Sequence, residues 1–371
     1  MKKILFFIHN MDDGGAQKVL TNLVNNMDQS KFNITVISLF GAGINAQFLT
    51  QNVRYLTVFP RAFPGNSKVL KLFSPRTLHR LFIREHFDIE VSYLEGVSAR
   101  IISGCLAPDT KLVSWIHVEQ HTMDKLAGSF RGEKEARACY DRFDQTVCVS
   151  QYVHDDFCQL LNFQRPCRVL YNTVESDKIL AGASEAAPEI LDEGRIRLIA
   201  VGTLKQSKGY IRLLNIIKRL RDEQYPVHLY ILGIGPLQQE MEEYIRQNKL
   251  HDAVTLLGYQ TNPYKYVSKC DLFVCASFAE GFSTAATEAL IVGTPVCTVE
   301  VSGMKEMLGE NNEWGVVTEN SEEALYVGIK KLLDSPDLLA HYKSRAILRG
   351  QNFRTEETVK DVEQMLLQLK E

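Results

Sequence analysis

Short apolar runs alternate with longer amphipathic segments along most of the chain. The apolar runs cover residues 4–8, 34–40, 89–93, 112–116 and 146–149 in the first half, and 198–201, 227–232, 254–257, 272–275 and 296–299 in the second. Runs of this length suit buried strands of a parallel sheet. Between the first two runs, apolar residues recur at the spacing of one helical face. This alternation predicts doubly wound parallel sheets with ligand sites at the carboxyl ends of the strands.

The two series of runs predict two domains of similar architecture. A chain of 371 residues exceeds the usual size of a single hydrophobic core. The polar, alanine-rich stretch between the two series, which ends near Gly194, has the composition of a linker. We therefore predict Rossmann-like domains at 1–172 and 173–352, followed by a helix at about 353–371 with one apolar face.

Composition and cysteine usage are those of an ordinary globular protein. The eight cysteines include no Cys-x-x-Cys pair and mostly lie inside apolar runs, which indicates reduced thiols. The apolar run before His9 is too short for a signal peptide. No stretch has the uninterrupted apolar length that a membrane span needs. We therefore expect a cytoplasmic protein.

Charge divides unevenly between the two halves, because the first is net positive and the second net negative. The first half contains a stretch without any acid, in which cations alternate with aromatic residues. The cations are Arg54, Arg61, Lys68, Lys71, Arg76, Arg80 and Arg84. No recognisable nucleic-acid motif accompanies them, so no nucleic-acid partner is predicted. Two interpretations remain: a solvated helix face, or a surface that binds the anionic inner face of the cell membrane peripherally.

Two glutamates, Glu280 and Glu288, follow an apolar run in the second half. Gly281 allows a turn, and the helix formers after it are closed by Gly293 and Pro295. Glu280 is therefore predicted on a loop at the carboxyl end of a strand. Glu288 is predicted about one turn into the next helix, whose start favours an anion. Taken alone, such a pair is typical of a surface carboxylate followed by one on a helix face.

Three glycine-containing turns follow other predicted strands. Gly14 and Gly15 let the backbone approach a ligand at a helix start, but they lack the Gly-x-Gly-x-x-Gly spacing of a dinucleotide site. A second turn contains Gly202 and ends in Lys208, and a third begins at Gly233. Each of them alone indicates only a turn.

His117 ends one of the apolar runs, with Glu119 and His121 close behind. The spacing of the three lacks the helical pattern of a zinc protease, so it predicts no metal site. A hydrogen-bonded histidine that caps a strand is the common alternative. No Asp-x-Asp pair occurs anywhere in the sequence. We therefore predict a protein without a metal or another cofactor.

The sequence Glu-Gly-Phe-x5-Glu-Ala, closed by Gly-Thr-Pro-Val, resembles the nucleotide-sugar signature of retaining glycosyltransferase family 4, whose fold is GT-B. The turn at Gly15, the strand-end His117 and the loop ending in Lys208 occur in the order of that family. The resemblance implies two Rossmann-like, doubly wound α/β domains that face each other across a cleft. The first domain is expected on the acceptor side, with the terminal helix packed back on it, and the second is expected to bind the donor.

The resemblance also implies roles for single residues. His117 and Glu280 are expected near the donor sugar and Lys208 at the diphosphate, so these three are the predicted catalytic residues. Thr203 stands where the family carries an arginine, which removes one cation, and Lys205 is the candidate to replace it. The predicted donor-binding residues are Gly15, Gly202, Thr203, Lys205, Lys208, Gly233, Tyr259, Glu280, Gly281, Phe282, Ser283, Thr284 and Glu288.

The resemblance therefore implies a retaining hexosyltransferase. When UDP leaves a donor, negative charge develops on the β-phosphate, and Lys208 with backbone amides at helix starts can balance it without a metal. We expect transfer from a nucleotide-sugar donor, UDP-linked, to a glycan or lipid-linked acceptor in surface polysaccharide biosynthesis. Two alternatives stay open: a UDP-sugar epimerase of the same fold, and a non-catalytic membrane-surface scaffold that kept the nucleotide fold.

Overall fold

The computed structural model describes residues 1–12, 14–41, 43–186, 194–280, 282–301 and 303–369. The chain forms two compact units, one of Met1–Val174 with Thr355–Glu371 and the other of Glu175–Arg354. Both divisions fall within a few residues of the predicted domain boundaries. Gly281 and most of the predicted linker lie outside the described residues.

The first unit is built on one sheet, whose strands in the described residues are β1 (Lys2–Ile8), β2 (Phe32–Phe40), β3 (Arg54–Phe59), β4 (Ile89–Ser92), β5 (Lys111–Ile116), β6 (Gln145–Cys148) and β7 (Cys167–Val169). Its helices up to residue 174 are α1 (Gly15–Asn26), α2 (Asn66–Leu72), α3 (Pro75–Phe82), α4 (Val97–Ile102), α5 (Met123–Leu126), α6 (Glu133–Tyr140) and α7 (Gln151–Leu161). The strand order is β3-β2-β1-β4-β5-β6-β7, with every pair parallel. The order reverses between β1 and β4, which is the switch point at which such sheets bind ligands.

The second unit repeats this plan. Its strands in the described residues are β8 (Ile196–Val201), β9 (Val227–Leu232), β10 (Val254–Gly258), β11 (Leu272–Cys275), β12 (Val296–Val299) and β13 (Val316–Thr318). Its helices are α8 (Ser176–Ala183), α9 (Tyr210–Asp222), α10 (Gln238–Gln247), α11 (Tyr264–Val267), α12 (Thr284–Ile291), α13 (Met304–Leu308), α14 (Glu322–Leu333) and α15 (Pro336–Gly350). The parallel order β10-β9-β8-β11-β12-β13 reverses between β8 and β11. The predicted doubly wound α/β architecture is confirmed in both units.

The last helix of the chain, α16 (Thr355–Gln368), belongs to the first unit and lies against α1. Its apolar face is buried at Val359, Val362 and Leu366. A polar contact fixes its register, because the Glu363 carboxylate accepts a hydrogen bond from the backbone N–H of Asp28 at 2.6 Å. The chain therefore leaves the first unit near residue 174 and returns to it for its last helix.

The acid-free stretch is not one helix face, which corrects the first of its two interpretations. It contains strand β3 and the two short helices α2 and α3. Arg54, the first of its cations, pairs with the Glu85 carboxylate through two hydrogen bonds of 2.7 Å. Most of its aromatic residues pack within the unit, where Phe59 contacts Phe63 and Phe82. These contacts form because β3 is the edge strand of the sheet and its aromatic side chains cover that edge.

Candidate functional site

The two loops that carry the predicted donor-binding residues meet at the switch point of the second sheet. Strands β8 and β11 are hydrogen-bonded neighbours, with Leu198 opposite Leu272, so the loops that follow them leave from adjacent carboxyl ends. A pocket that is open to solvent lies there. Lys208, Glu280 and Ser283 are among its lining residues. The site predicted from strand order and the site predicted from residue chemistry are therefore the same place.

Lys208 and Glu280 form an ion pair in this pocket. The Lys208 Nζ donates to Glu280 Oε1 at 2.5 Å, and the Ser277 hydroxyl donates to the same oxygen at 2.6 Å. The Lys208 side chain is 29% exposed and that of Glu280 is 11% exposed, so a ligand can reach both. The pocket thus presents one cation and one carboxylate in direct contact, which suits a ligand with a phosphate next to hydroxyl groups.

Glycine is required where the two loops cross. Gly209, directly after Lys208, has a φ of 66°, and a Cβ atom there would lie 2.0 Å from the carbonyl oxygen of Ala276. In the same way, a Cβ atom on Gly233 would lie 2.0 Å from the carbonyl oxygen of Gly202. A side chain at either position would push the loops apart. Gly209 and Gly233 therefore let the loops that follow these strands pack backbone against backbone.

Arg212 is a site residue that the sequence analysis missed. It lies on α9 and is buried, and its guanidinium donates to the carbonyl oxygens of Ala276 at 2.7 Å and Ser277 at 2.9 Å. It also donates to Asn320 at 2.8 Å. The guanidinium of Arg212 therefore fixes the backbone of the loop that carries Glu280 through several hydrogen bonds. The sequence feature that could have identified Arg212 is its position among the apolar residues on the face of α9 that packs against the sheet.

Helix α12 carries the remaining residues of the glutamate signature. The Ser283 hydroxyl caps the helix by accepting from the Ala286 N–H at 3.3 Å, and Thr284 is the first helical residue. Glu288 is buried and accepts a hydrogen bond from the Tyr264 hydroxyl at 3.4 Å. Glu288 does not line the pocket of Lys208 and Glu280. The loop and helix positions predicted for Glu280 and Glu288 are confirmed.

Four further predicted donor-binding side chains lie outside that pocket. Phe282 is buried and packs edge-on against Phe353, with ring centroids 6.0 Å apart. Tyr259 follows β10 and is 62% exposed, and Lys205 is also exposed. Thr203 is half-buried in the loop after β8. Gly281 lies outside the described residues.

In the first unit, His117 follows β5 and is almost fully buried. Its backbone N–H donates to Glu95 at 3.1 Å, and its ring donates a hydrogen bond to the backbone carbonyl of Tyr93. Burial lowers the pKa of His117 to about 3. The hydrogen bond to Tyr93 raises this pKa by less than burial lowers it. The ring is therefore neutral near pH 7, and its Nε2 is a buried acceptor without a partner among the described residues.

The glycine turn after β1 leaves open space at the start of α1. Gly14 caps the helix without a side-chain hydrogen bond, and a Cβ atom on Gly15 would meet nothing within 4 Å in the described part of the chain. His9, at the end of β1, was not predicted as a site residue. Its Nδ1 is a buried atom without a described partner, and burial lowers its pKa. This edge of the first sheet thus resembles the end of β5, with an unpaired imidazole nitrogen.

Comparison with known protein families identifies the chain. A family model described as Glycosyltransferase Family 4 matches residues 13–178, and one described as Glycosyl transferases group 1 matches residues 184–349. The two matches cover most of both units. The chain belongs to glycosyltransferase family 4. As predicted, this family 4 chain has the GT-B fold and is an enzyme of the hexosyltransferase class, which sets aside the epimerase and scaffold alternatives.

Individual relatives agree with membership of family 4. A Campylobacter jejuni protein named N-acetylgalactosamine-N,N'-diacetylbacillosaminyl-diphospho-undecaprenol 4-alpha-N-acetylgalactosaminyltransferase is 27% identical, over 99% of this chain and 100% of its own length. Among solved structures, HepE of Anabaena in complex with UDP has a TM-score of 0.79 at 18% identity and covers 98% of this chain and 99% of its own. A mutant of Staphylococcus aureus TarM, in complex with fondaparinux, alpha-GlcNAc-glycerol and UDP, has a TM-score of 0.74 at 14% identity over 100% of both chains. The two structures show the shared fold.

Across the described residues, no helix combines the length and the apolar character that crossing a membrane requires.

Proposed function

We propose that the chain is a retaining glycosyltransferase that transfers a sugar from a UDP-sugar to a lipid-linked glycan in surface polysaccharide biosynthesis. The observation that carries the proposal is the Lys208–Glu280 pair in the pocket at the switch point of the second sheet. The two structural neighbours that contain UDP support the choice of nucleotide. The α-linkage in the name of the Campylobacter relative supports retention, and its diphospho-undecaprenol supports a lipid-linked acceptor.

In this proposal the donor enters the pocket and replaces the ion pair by contacts with both partners. The Lys208 ammonium binds the diphosphate and stabilises the charge that develops on the β-phosphate as UDP leaves. The Glu280 carboxylate, held in place by the Ser277 hydroxyl, accepts hydrogen bonds from sugar hydroxyls. Glu288, farther along α12, accepts hydrogen bonds from the ribose hydroxyls. The amides at the start of α12 and in the loop of Gly202 add donors for the phosphates.

His117 is proposed as the contribution of the first unit to the reaction. Its low pKa excludes a protonated imidazole at neutral pH, so it cannot serve as a cation there. The unpaired Nε2 is instead an acceptor for a sugar hydroxyl, and the carbonyl of Tyr93 fixes the ring. We therefore assign His117 a role in positioning the donor sugar.

The acceptor-side proposal rests on the surface of α2 and α3. Val69, Leu72, Phe73 and Leu81 are all exposed on or between these helices. The exposed cations near them are Arg61, Lys68, Arg76, Arg80 and Arg84. Apolar side chains ringed by cations suit the interface of an anionic membrane. We propose that this surface docks on the inner face of the cell membrane, where a lipid-linked acceptor is found.

Two arginines, the buried Arg100 and the exposed Arg131, bind the backbone of that surface. The Arg100 guanidinium donates to the carbonyl oxygens of Leu70 at 3.0 Å and Phe73 at 2.7 Å, and it pairs with Glu135. Arg131 donates to the carbonyl oxygen of Leu72 at 2.6 Å. The last carbonyls of α2 are therefore capped by cations, which is favourable at a helix C-terminus. Leu72 and Phe73 are consequently presented outward from a fixed backbone.

The test is a panel of nucleotide sugars offered with a polyprenyl-diphosphate-linked glycan, in which release of UDP or GDP is measured. UDP-N-acetylhexosamines are the first candidates, because the Campylobacter relative is named an acetylgalactosaminyltransferase. The expected result is UDP release that requires the acceptor, and an α-linked product by NMR. Lys208→Ala should abolish most of it, whereas Lys269→Ala, at an exposed lysine of the same unit, should not. A β-linked product would overturn retention, and release of GDP alone would overturn the donor.

A further inference from the structure

Three thiols and an imidazole cluster in the first unit, in residues that have no part in the proposed transfer reaction. His154 and Cys158 lie one turn apart on α7, and the His154 Nε2 is 3.7 Å from the Cys158 sulfur. Cys167 begins β7, and its sulfur is 3.7 Å from that of Cys148, which ends β6. The ligand atoms of His154, Cys158 and Cys167 all lie within 4.8 Å of one another. Three consecutive elements thus bring two thiols and an imidazole together, with the Cys148 thiol beside that of Cys167.

Two of the separations within this cluster are close to the edges of a metal tetrahedron. Zinc bonds of about 2.3 Å to sulfur and about 2.0 Å to nitrogen place two sulfurs about 3.8 Å apart, and a sulfur and a nitrogen about 3.6 Å apart. The two printed pairs are each 3.7 Å apart. A disulfide needs sulfurs about 2.05 Å apart. All the described cysteines are free thiols, so the cluster is spaced for a shared metal.

The imidazole is oriented as metal-bound histidines are. With Nε2 directed at the thiols, the Nδ1 of His154 is 2.9 Å from the Asp155 carboxylate and 3.1 Å from the Gln151 amide. A carboxylate on the far nitrogen fixes the tautomer and strengthens the ligand nitrogen. The backbone N–H of Arg168 donates a hydrogen bond to the Cys167 sulfur. The Asp155 carboxylate thus holds the His154 ring and the Arg168 N–H holds the Cys167 sulfur, so residues outside the cluster position both ligands.

We propose that His154, Cys158 and Cys167 bind a zinc ion, with Cys148 as the fourth ligand. Zinc is the metal that suits closed tetrahedral sites of cysteine and histidine. Binding joins one Zn²⁺ to three thiolates and one neutral imidazole, and it releases the three thiol protons to solvent. No electron is transferred. The ion joins β7, an edge strand of three residues, to β6 and α7, so the site stabilises this end of the first sheet.

Metal uptake by the reduced full-length chain tests the proposal. The chain is stripped with a chelator, returned to chelator-free buffer, and titrated with ZnCl2 in competition with a chromophoric chelator. One tightly held zinc per chain is expected. Titration with Co²⁺ should give the thiolate-to-metal charge-transfer band and the intense visible bands of a tetrahedral site. Absence of uptake by the stripped chain, or a disulfide between two of the three cysteines in its place, would overturn the site.

Variants assign the ligands. Cys158→Ser and Cys167→Ser should each weaken zinc binding more than 100-fold, and Cys148→Ser should weaken it and remove part of the charge-transfer band. Asp155→Asn, which leaves all four ligands in place, should weaken it about 10-fold. Cys270→Ser, at a buried free thiol of the second unit, is the matched control and should bind as the wild type does. Unchanged affinity in Cys158→Ser would contradict the assignment.

A measurement on the wild type alone covers the case in which a variant fails to fold. Thiol alkylation followed by peptide mass spectrometry, with and without zinc, reports each cysteine separately. Zinc should slow alkylation of Cys148, Cys158 and Cys167 and leave Cys270 and Cys297 unchanged. Equal rates at the first three with and without zinc would show that the metal binds elsewhere.

Discussion

At the residue scale, the contact between Lys208 and Glu280 could not be predicted from the sequence. Both residues could be recognised, because each belongs to a motif that directly follows a strand. Their contact depends on β8 and β11 being neighbours, although 72 positions separate the two residues. Arg212 was missed for the same reason, since its partners are backbone carbonyls of a distant loop. Residue chemistry was therefore predictable from local pattern, whereas pairing required the strand order.

Alanine substitutions at Glu288 and Glu280 should impair different steps. Glu288→Ala should weaken UDP binding by about 1.5 to 3 kcal/mol, because it removes a charged acceptor of ribose hydroxyls. Glu280→Ala should chiefly lower the rate of transfer, because its partner in the proposal is the sugar. Calorimetry with UDP and turnover with the full donor separate the two effects. Glu310→Ala, at an exposed carboxylate of the same unit, is the control. Unchanged UDP affinity in Glu288→Ala would remove the ribose assignment.

Transfer should need no added divalent ion, because the sequence lacks an Asp-x-Asp pair and Lys208 supplies a cation at the phosphate. Lys208→Ala should raise the barrier by roughly 2 to 4 kcal/mol, as for the loss of one preorganised charge donor. The measurement is turnover of zinc-loaded enzyme in buffers freed of Mg²⁺ and Mn²⁺. Activity that appears only when either ion is restored would refute the prediction.

A buried ion pair at α3 should make stability depend on pH. The Nε2 of His79 lies 2.7 Å from the Glu90 carboxylate. Burial alone would lower the pKa of His79, but hydrogen bonds to Cys105 and Glu90, with the attraction of Glu90, raise it to about 9. A raised pKa stabilises the fold fully below the unfolded value of 6.5, and this contribution is lost as the pH rises toward 9.

Urea unfolding at pH values from about 6 to about 9.5 measures this contribution. The free energy of unfolding of the wild type should fall over that range by at most about 3.5 kcal/mol relative to His79→Gln, since one pKa unit corresponds to about 1.4 kcal/mol. The variant cannot gain the proton, so its curve lacks the His79 component. Parallel curves for the two proteins would contradict the raised pKa.

At the scale of elements, the central strands could be predicted, whereas three of the four edge strands could not. The ten apolar runs all correspond to strands, because strands buried on both faces are apolar throughout. β3 has several exposed positions and carries Arg54, so its composition is that of a surface segment. β7 and β13 have three residues each, too few for a pattern. The stretch that contains β3 was consequently interpreted from its charge alone.

The surface of α2 and α3 predicts binding to anionic vesicles. Each cation near such a membrane contributes about 1 kcal/mol, and the attraction is screened over about 10 Å at 0.1 M salt. Replacing Arg76, Arg80 and Arg84 by Glu should release the protein from the vesicles at low salt, and UDP binding should persist. Co-sedimentation with vesicles of phosphatidylglycerol and phosphatidylcholine is the measurement.

A second triple variant separates the local surface from net charge. Replacing Lys269, Lys331 and Lys343 by Glu changes the net charge equally, at exposed lysines of the second unit. This control should still sediment with anionic vesicles. If both triple variants are released alike, or if the wild type ignores anionic lipid at low salt, the surface of α2 and α3 is an ordinary solvated one.

At the scale of the whole molecule, the sequence could predict two units because the β-α series occurs twice with a polar interval. The return of the last helix could be expected only from the family resemblance, since an apolar helical face does not identify its partner. In the structure the partner is α1, and the Glu363 carboxylate meets the N–H of Asp28. The helix thus completes the core of a unit whose other elements lie some 180 residues earlier.

Two neighbouring leucines on α16 test this arrangement. Leu366 is fully buried, whereas Leu367 is 45% exposed. Leu366→Ala should destabilise the first unit by about 2 to 5 kcal/mol, because it removes buried methyl groups and leaves a cavity. Leu367→Ala should change stability by less than about 0.5 kcal/mol, as surface substitutions usually do.

Hydrogen exchange read by mass spectrometry locates the effect of these variants within the chain. In Leu366→Ala, the amides of residues 1–174 and of α16 should exchange faster, because the whole first unit loses stability. Those of residues 194–354 should exchange as in the wild type, and UDP affinity should be unchanged, since every proposed UDP contact lies in the second unit. If exchange accelerates equally in both units, they unfold as one cooperative body and α16 stabilises the entire chain.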